Sequence, residues 1–345
     1  VDLWILDEDF ARLGIVDTAS SIIWANRARQ CGDFEIYAPA SAELLLLLQE
    51  DRFVVREDDE MVGIIEKVIL QPDEENGDYL TVSGRCLRSI LDRRIIWDQT
   101  RLSGTVENVM RRLVTDAFIS PAIEARKYNK LTLGELHGYT DTVQVQYTGD
   151  NLLEAIETLC AAYGYCFKIT LQDGLLVVDF YKGVDRSAGQ RENPRVIFSE
   201  EYDNLTASSY QRDKTEYKSV ALVAGEGEGS ARKRTTISRS TDQTGLHRRE
   251  LFIDARDISS NDGEITETEY MAQLSERGRT DLAAASVVES MDGSVESTQY
   301  VYRKDYGLGD TVTVINKYGI QADTQLLEIV EALDETGYTC TPTFG

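Results

Sequence analysis

Short apolar runs, many alternating with polar residues, recur along most of this chain, and helical spacing interrupts them in only a few places. Leu3-Trp4-Ile5-Leu6, Gly14-Ile15-Val16, Ser21-Ile22-Ile23-Trp24 and Gly32-Asp33-Phe34-Glu35-Ile36-Tyr37 are separated by turns, the grammar of an all-β module. Ser41 predicts the cap of a short helix from Glu43 to Leu48, whose leucines seal one end of the sheet. Strands resume at Phe53-Val54-Val55 and from Met61 to Leu70, and Asn76-Gly77 in the acidic turn 73–78 predicts a hairpin before Tyr79.

The middle of the chain reads differently. GRCLRSILDRRIIW, from Gly84, predicts a turn, a short helix and a strand. Val106, Val109, Met110, Leu113 and Val114 share one face of an amphipathic helix, and a second helix is expected from a cap at Asp150 to Gly164. The hairpin YCFKIT, Gln172-Asp173-Gly174, LLVVDFY follows.

From Glu216 to Ser260 the pattern predicts a long β-hairpin arm and a return strand. Val220 to Ala224 is a β-branched run ending at Gly225-Glu226-Gly227-Glu228-Gly229, and Arg232 to Arg239 alternates as a strand with one wet face does. A dinucleotide site is the rival reading of the glycines, but Glu226 and Glu228 would repel phosphate and no apolar helix follows. Thr266-Glu267-Thr268-Glu269 is a capping box for a helix through Met271, Leu274, Leu282 and Ala285, and Gly307 to Val314 reads as strand. The resulting fold class is α+β, mainly β, in three parts. Residues 1–100 form a β domain and 101–198 a small α+β module. Residues 199–345 form a second β domain with a hairpin arm (217–240) and a helical insertion (264–287).

An internal echo relates the two β domains. Asp51-Arg52-Phe53-Val54-Val55, then Ile64-Ile65-Glu66-Lys67-Val68, an acidic turn, Tyr79 and Gly84 are answered by Asp310-Thr311-Val312-Thr313-Val314, then Leu326-Leu327-Glu328-Ile329-Val330, Asp334-Glu335, Tyr338 and Gly345.

Composition narrows the function. Sixty acidic against 36 basic residues give a formal charge of −24, which argues against binding nucleic acid or an anionic membrane through a basic face. No window approaches the roughly 20 apolar residues of a membrane helix, and VDLWILDEDF has no basic segment of a secretory signal. The five cysteines, Cys31, Cys86, Cys160, Cys166 and Cys340, have no Cys-x-x-Cys spacing and read as reduced, mostly buried thiols. Only two histidines exist, His137 and His247, and no zinc spacing, nucleophile elbow or phosphate loop occurs. No catalytic residue, cofactor or metal is therefore expected. The acidic turn 73–78 is too short for an EF-hand, and Asp254 and Asp257 around Arg256 read as a salt-bridged edge.

Taken in order, GRCLRSILDRRIIW, AGEGEG followed by RRELFIDARDIS, LGDTVTV and the terminal TCTPTFG resemble siphovirus tail-hub proteins, typified by phage ReqiPepy. That group is related to the baseplate hubs of contractile tails and to the N-terminal part of tail-associated lysins. The resemblance implies two tube-like β-barrels per subunit and a homotrimer at the virion tail tip, whose six barrels match a hexameric tail tube. It implies contacts with the distal tail protein, the tape measure protein and tail fibre or tip proteins, with DNA passing through without specific binding. Many relatives continue into a peptidoglycan hydrolase; no such extension follows Gly345 here, so no lytic activity is expected. The hairpin residues Arg232, Lys233, Arg234 and Arg239 are the expected interface. A carbohydrate-active or carbohydrate-binding tip protein, or the hub of a phage-tail-like injection device, are the alternatives.

Overall fold

The computed structural model describes residues 2–72, 77–295 and 299–345, so residues 73–76 of the expected acidic hairpin turn lie outside the described residues. The chain is mainly β with 21% helix. The first module contains β1 (Leu3–Leu6), β2 (Arg12–Val16), β3 (Ser21–Arg27), β4 (Asp33–Pro39), helix α1 (Ala42–Leu47), β5 (Phe53–Arg56), β6 (Val62–Gln71) and β7 (Tyr79–Cys86). Ser41 caps α1 by accepting the Leu44 N–H at 3.1 Å, and Leu44 and Leu48 are buried under the sheet while Leu46 faces water. Trp24, Phe34, Ile36, Leu80 and Val82 alternate inward and meet Leu3, Ile5 and Val16 in one core.

The middle module contains β8 (Thr100–Thr105), α2 (Val106–Val114), β9 (Leu131–Leu133), β10 (Thr142–Tyr147), α3 (Leu152–Tyr163), β11 (Cys166–Gln172) and β12 (Leu175–Tyr181). The five apolar residues expected on one face of α2 are all buried. The second helix is capped by Asn151 rather than Asp150: its side-chain oxygen accepts the N–H groups of Leu153 and Glu154, and Asp150 instead holds the preceding Thr148 N–H. Gly164 ends it at φ 69°, a left-handed position that costs glycine nothing. The strand expected after Arg94 is one isolated bridge, Ile95 to Asn151; the true strand starts at Thr100.

The last part contains β13 (Ile197–Ser199), β14 (Leu205–Asp213), β15 (Val220–Ala224), β16 (Arg234–Ser238), β17 (Glu250–Asp254), α4 (Glu267–Ala284), β18 (Val288–Val295), β19 (Thr311–Ile315), β20 (Gln321–Asp334) and β21 (Gly337–Phe344). Among the described residues thirteen strands join in one sheet, running β14-β18-β21-β20-β3-β4-β7-β6-β5-β1-β2, with β19 and β13 branching from β20. Two tube-like barrels were expected, but among the described residues neither half closes. The edge of β3 that could meet β2 is hydrogen-bonded to β20, from Leu333 opposite Ile22 to Glu328 opposite Arg27.

The echo is a repeat of topology. The order β1-β5-β6-β7-β4-β3 in the first half is matched by β13-β19-β20-β21-β18-β14 in the second, although β1 runs antiparallel to its neighbour and β13 parallel. Both central strands carry a bulge at the same step, between Ile65 and Lys67 and between Leu326 and Glu328. Just before, the Asp51 N–H donates to Ile65 O and the Ile65 N–H to Arg52 O, while Gly309 N–H donates to Leu326 O and Leu326 N–H to Asp310 O, all at 2.8–2.9 Å. Asp51 and Gly309 are both left-handed, at φ 63° and 88°. Asp51 thus corresponds to Gly309 and Ile65 to Leu326, one residue away from the alignment that sequence suggests.

Candidate functional site

The two halves meet at a buried ion network. Pairing of β20 with β3 puts Glu331 opposite Trp24, and Arg56, at the end of β5, lies over the Trp24 ring at 5.6 Å. Glu331 is 3% exposed and accepts from Arg56 at 3.3 Å through both oxygens, from Arg303 at 2.6 Å and from the Tyr338 hydroxyl at 2.8 Å. Arg56 also grips Asp58 at 2.8 and 3.0 Å, and Arg303 holds Asp59 at 2.6 Å. The hydrogen bond from Arg56 keeps the Asp58 carboxyl below its usual range, whereas burial raises that of Asp59 despite Arg303. Burial works against the Arg56 charge, but Asp58 and Glu331 outweigh it and leave its pKa raised.

Beside this network is a cavity of about 430 Å3, lined by Met61, Cys86 and Arg88 of the first half, Lys168 and Tyr181 of the middle module and Leu308 of the second half. The acids around it are engaged. Glu60 pairs with Lys168 at 2.7 Å, and Asp179 with His137 at 3.0 Å. Asp310 takes Arg186 at 2.8 Å and the backbone N–H groups of Val184 and Gly307. Among the described residues no three His, Cys, Asp or Glu side chains converge to hold a metal. Glu60 and Asp310 thus fasten one module to another, while Asp179 is paired within the middle module.

The expected hairpin is present, with Val220 opposite Ser238 and Ala224 opposite Arg234, but it is packed down rather than extended. β15 is the central strand of a three-stranded sheet, parallel to β17 on its other edge, and α4 covers one face. Ala221, Val223, Ile253, Tyr270 and Leu274 form that module's own core. The glycine tip is pinned too: the Glu226 N–H donates to the Tyr270 hydroxyl at 2.7 Å, and the Ser260 N–H to the Glu226 carboxylate at 3.1 Å. The capping box at Thr266 and Glu269 is formed.

The four expected interface residues are therefore differently placed. Arg232 donates to Ala224 O and Gly225 O and pairs with Asp254, closing the tip inside the module. Arg239 donates to Lys218 O, Leu282 O and Ser286, fastening the sheet to the end of α4. Lys233 pairs with Glu267 at the start of α4. Arg234 is exposed and donates to Gly229 O at 3.0 Å. On the same outer sheet face, Leu222 and Phe252 are exposed neighbours in register.

Other candidate groups resolve into local structure. Asp254 pairs with Arg256 and Asp257 with Arg277 at 2.7 Å. His247 lies in a turn before β17. Trp97, the exposed ring beside a cavity of about 310 Å3, has the Arg126 guanidinium over it at 5.4 Å. Glu107 is the functional-looking side chain that periodicity concealed. Fully buried in the first turn of α2, it accepts the N–H groups of His137, Gly138 and Tyr139.

A family model described as Siphovirus ReqiPepy6 Gp37-like protein matches residues 2–345. No curated protein matches the chain in sequence. Among solved structures, the chain is similar to the prophage MuSo2 43 kDa tail protein from Shewanella oneidensis, at TM-score 0.60 and 13% identity, covering 100% of this chain and 98% of that one. It is similar to a tail protein from Neisseria meningitidis MC58, at TM-score 0.57 and 16% identity over 99% and 95% of the two chains. The prophage tail protein gp18 from Listeria monocytogenes EGD-e aligns at TM-score 0.54 and 13% identity over 99% and 94%.

Proposed function

Because the chain belongs to the Siphovirus ReqiPepy6 Gp37-like protein family and has the fold of phage tail proteins, we propose that it is a structural tail-tip hub, working as a trimeric adaptor. The repeated strand order, with its matching bulges and left-handed turns, carries this reading. Three copies, each offering two like-folded sheets, present six similar units to a hexameric tube. The shared 13-stranded sheet and the Arg56–Glu331–Arg303 network hold the two units of one chain at a fixed angle, as quasi-sixfold geometry requires.

On this reading the partners are the distal tail protein, the tape measure protein and tail fibre or tip proteins. The net charge of −24 lets DNA pass through the central opening without adhering. Arg234, with Leu222 and Phe252 on the outer sheet face, is the part of the expected interface left free to contact a neighbour. Light scattering on the purified chain should give three times 38.7 kDa, and imaging should show rings with an axial opening. A monomer or dimer at every concentration tried, or a trimer without a bore, refutes the adaptor role.

A further inference from the structure

Two thiols far apart in sequence meet in the first module. Cys31 lies in the β3–β4 connection and Cys86 ends β7. Gly32 extends the β4–β7 ladder by accepting the Cys86 N–H at 2.8 Å, and this leaves the two sulfurs 3.5 Å apart. The other thiols are surrounded differently. Cys160 is fully buried against Met110 Sδ at 3.7 Å, and burial raises the thiols of Cys160, Cys166 and Cys340.

Cys86 stands apart from them. Burial opposes its ionisation, but the Cys31 thiol, the Arg88 guanidinium and the Gly32 N–H, which donates to its sulfur at 3.2 Å, outweigh burial and hold it below the ordinary thiol range. Arg88 is itself held in place, by Gln30 O and by Asn26 Oδ1 at 3.0 Å. Cys86, only 3% exposed, is among the residues lining the cavity of about 430 Å3 at the junction of the three modules, the space from which a small solute would approach it.

We propose that Cys31 and Cys86 form a dithiol oxidation site that reacts with small peroxides entering through this cavity and closes into a disulfide. The Cys86 thiolate attacks one peroxide oxygen; an S–O bond forms, the O–O bond breaks, and the departing oxygen takes a proton to leave as water or an alcohol. Cys86 is then a sulfenic acid. The Cys31 sulfur attacks that of Cys86, forming the S–S bond and breaking S–O, and the Cys31 proton leaves with the hydroxyl as water. Two thiols are oxidised and one peroxide is reduced. The sulfurs need to close from 3.5 Å to about 2 Å, an approach of side-chain tips across an existing ladder. The bond stays open in a reducing cytoplasm and closes in oxidising surroundings.

The test treats the full chain with hydrogen peroxide, alkylates the remaining thiols and maps peptides without reduction. Two of the five thiols should be lost, a linked Cys31–Cys86 peptide pair should appear, and the thermal midpoint should rise relative to the reduced chain. Cys31→Ser should stop at a sulfenic acid on Cys86 that dimedone traps, with no rise, and Cys160→Ser should behave as wild type. Recovery of Cys31 and Cys86 as alkylated thiols while other cysteines oxidise overturns the proposal, as does a disulfide from either to a different cysteine. The wild-type map alone decides the matter if Cys31→Ser fails to fold.

Discussion

Replacing Glu331 by Gln tests whether the network between the halves is a fastener. Gln keeps the shape and an oxygen for the Tyr338 hydroxyl, but removes the charge facing Arg56, which is 4% exposed, and Arg303. Breaking one side of a buried ion pair costs about 3–5 kcal/mol, because the remaining charge stays out of water. The Arg56 contacts, at 3.3 Å, are longer than ordinary charge-assisted bonds of about 2.8 Å, and after the change Arg56 keeps Asp58 and Arg303 keeps Asp59, so neither cation is left without a carboxylate. A loss of about 3 kcal/mol is expected, at the low end of that range. The assay is urea unfolding followed by fluorescence, since Trp24 is fully buried beneath Arg56 and reports this junction. The double change Arg56→Met with Glu331→Leu removes both charges and should cost less than the two single changes together. A Glu331→Gln loss below about 1 kcal/mol, or strict additivity in the double change, refutes the reasoning.

Three further outcomes are expected. Gly84→Ala brings a Cβ to 1.8 Å from Ile64 O at the β6–β7 bulge and should lower stability by about 2 kcal/mol or more, whereas Gly189→Ala, in open space, should change it by less than about 0.5 kcal/mol; unfolding midpoints compare them. Asp58 and Asp59 should have opposite signs in acid. The lowered Asp58 pKa gives stability that is present above the unfolded value, near 3.8, and lost as pH falls through the folded value, so Asp58→Asn should be most damaging at neutral pH and harmless at the acid end. The raised Asp59 pKa makes stability fall as pH rises from 3.8 through its folded value, a slope that unfolding of Asp59→Asn at a series of pH values should lack. Finally, Arg232→Ala should loosen the β15–β17 module, read as faster proteolysis near the tip, while Arg234→Ala should leave the monomer fold intact and weaken assembly; equal effects of the two on folding count against Arg234 as a contact.

Local rules were readable where a residue acts on its own neighbours. Ser41, the Thr266–Glu269 box, Gly164 and the Asp173-Gly174 turn need only adjacent backbone to work, and each forms where the spacing put it. The apolar face of α2 was legible for the same reason. The cap at Asn151 was missed because Asp150, one residue earlier, is as good a cap by type, and only the backbone shows which side chain reaches the free N–H groups. Val220 to Ala224 carried a usable signal: an unbroken apolar run marks a strand packed into a module, and four of its five residues are buried with Leu222 exposed, which a free arm would not show.

The amino-acid order alone determined the mainly β class, the helices and most of their ends, the acidic surface and the existence of an internal repeat, because these depend on periodicity, composition and residues a few positions apart. Tertiary structure alone decided which strand lies beside which. It set the repeat one residue from its apparent alignment, gave the edge of β3 to β20 instead of closing a barrel, and brought Arg56 to Glu331 and Cys31 to Cys86. A strand's sequence specifies two faces but leaves both hydrogen-bonding edges alike, so pairing and every long-range contact that follows are settled only when all the sheets pack together.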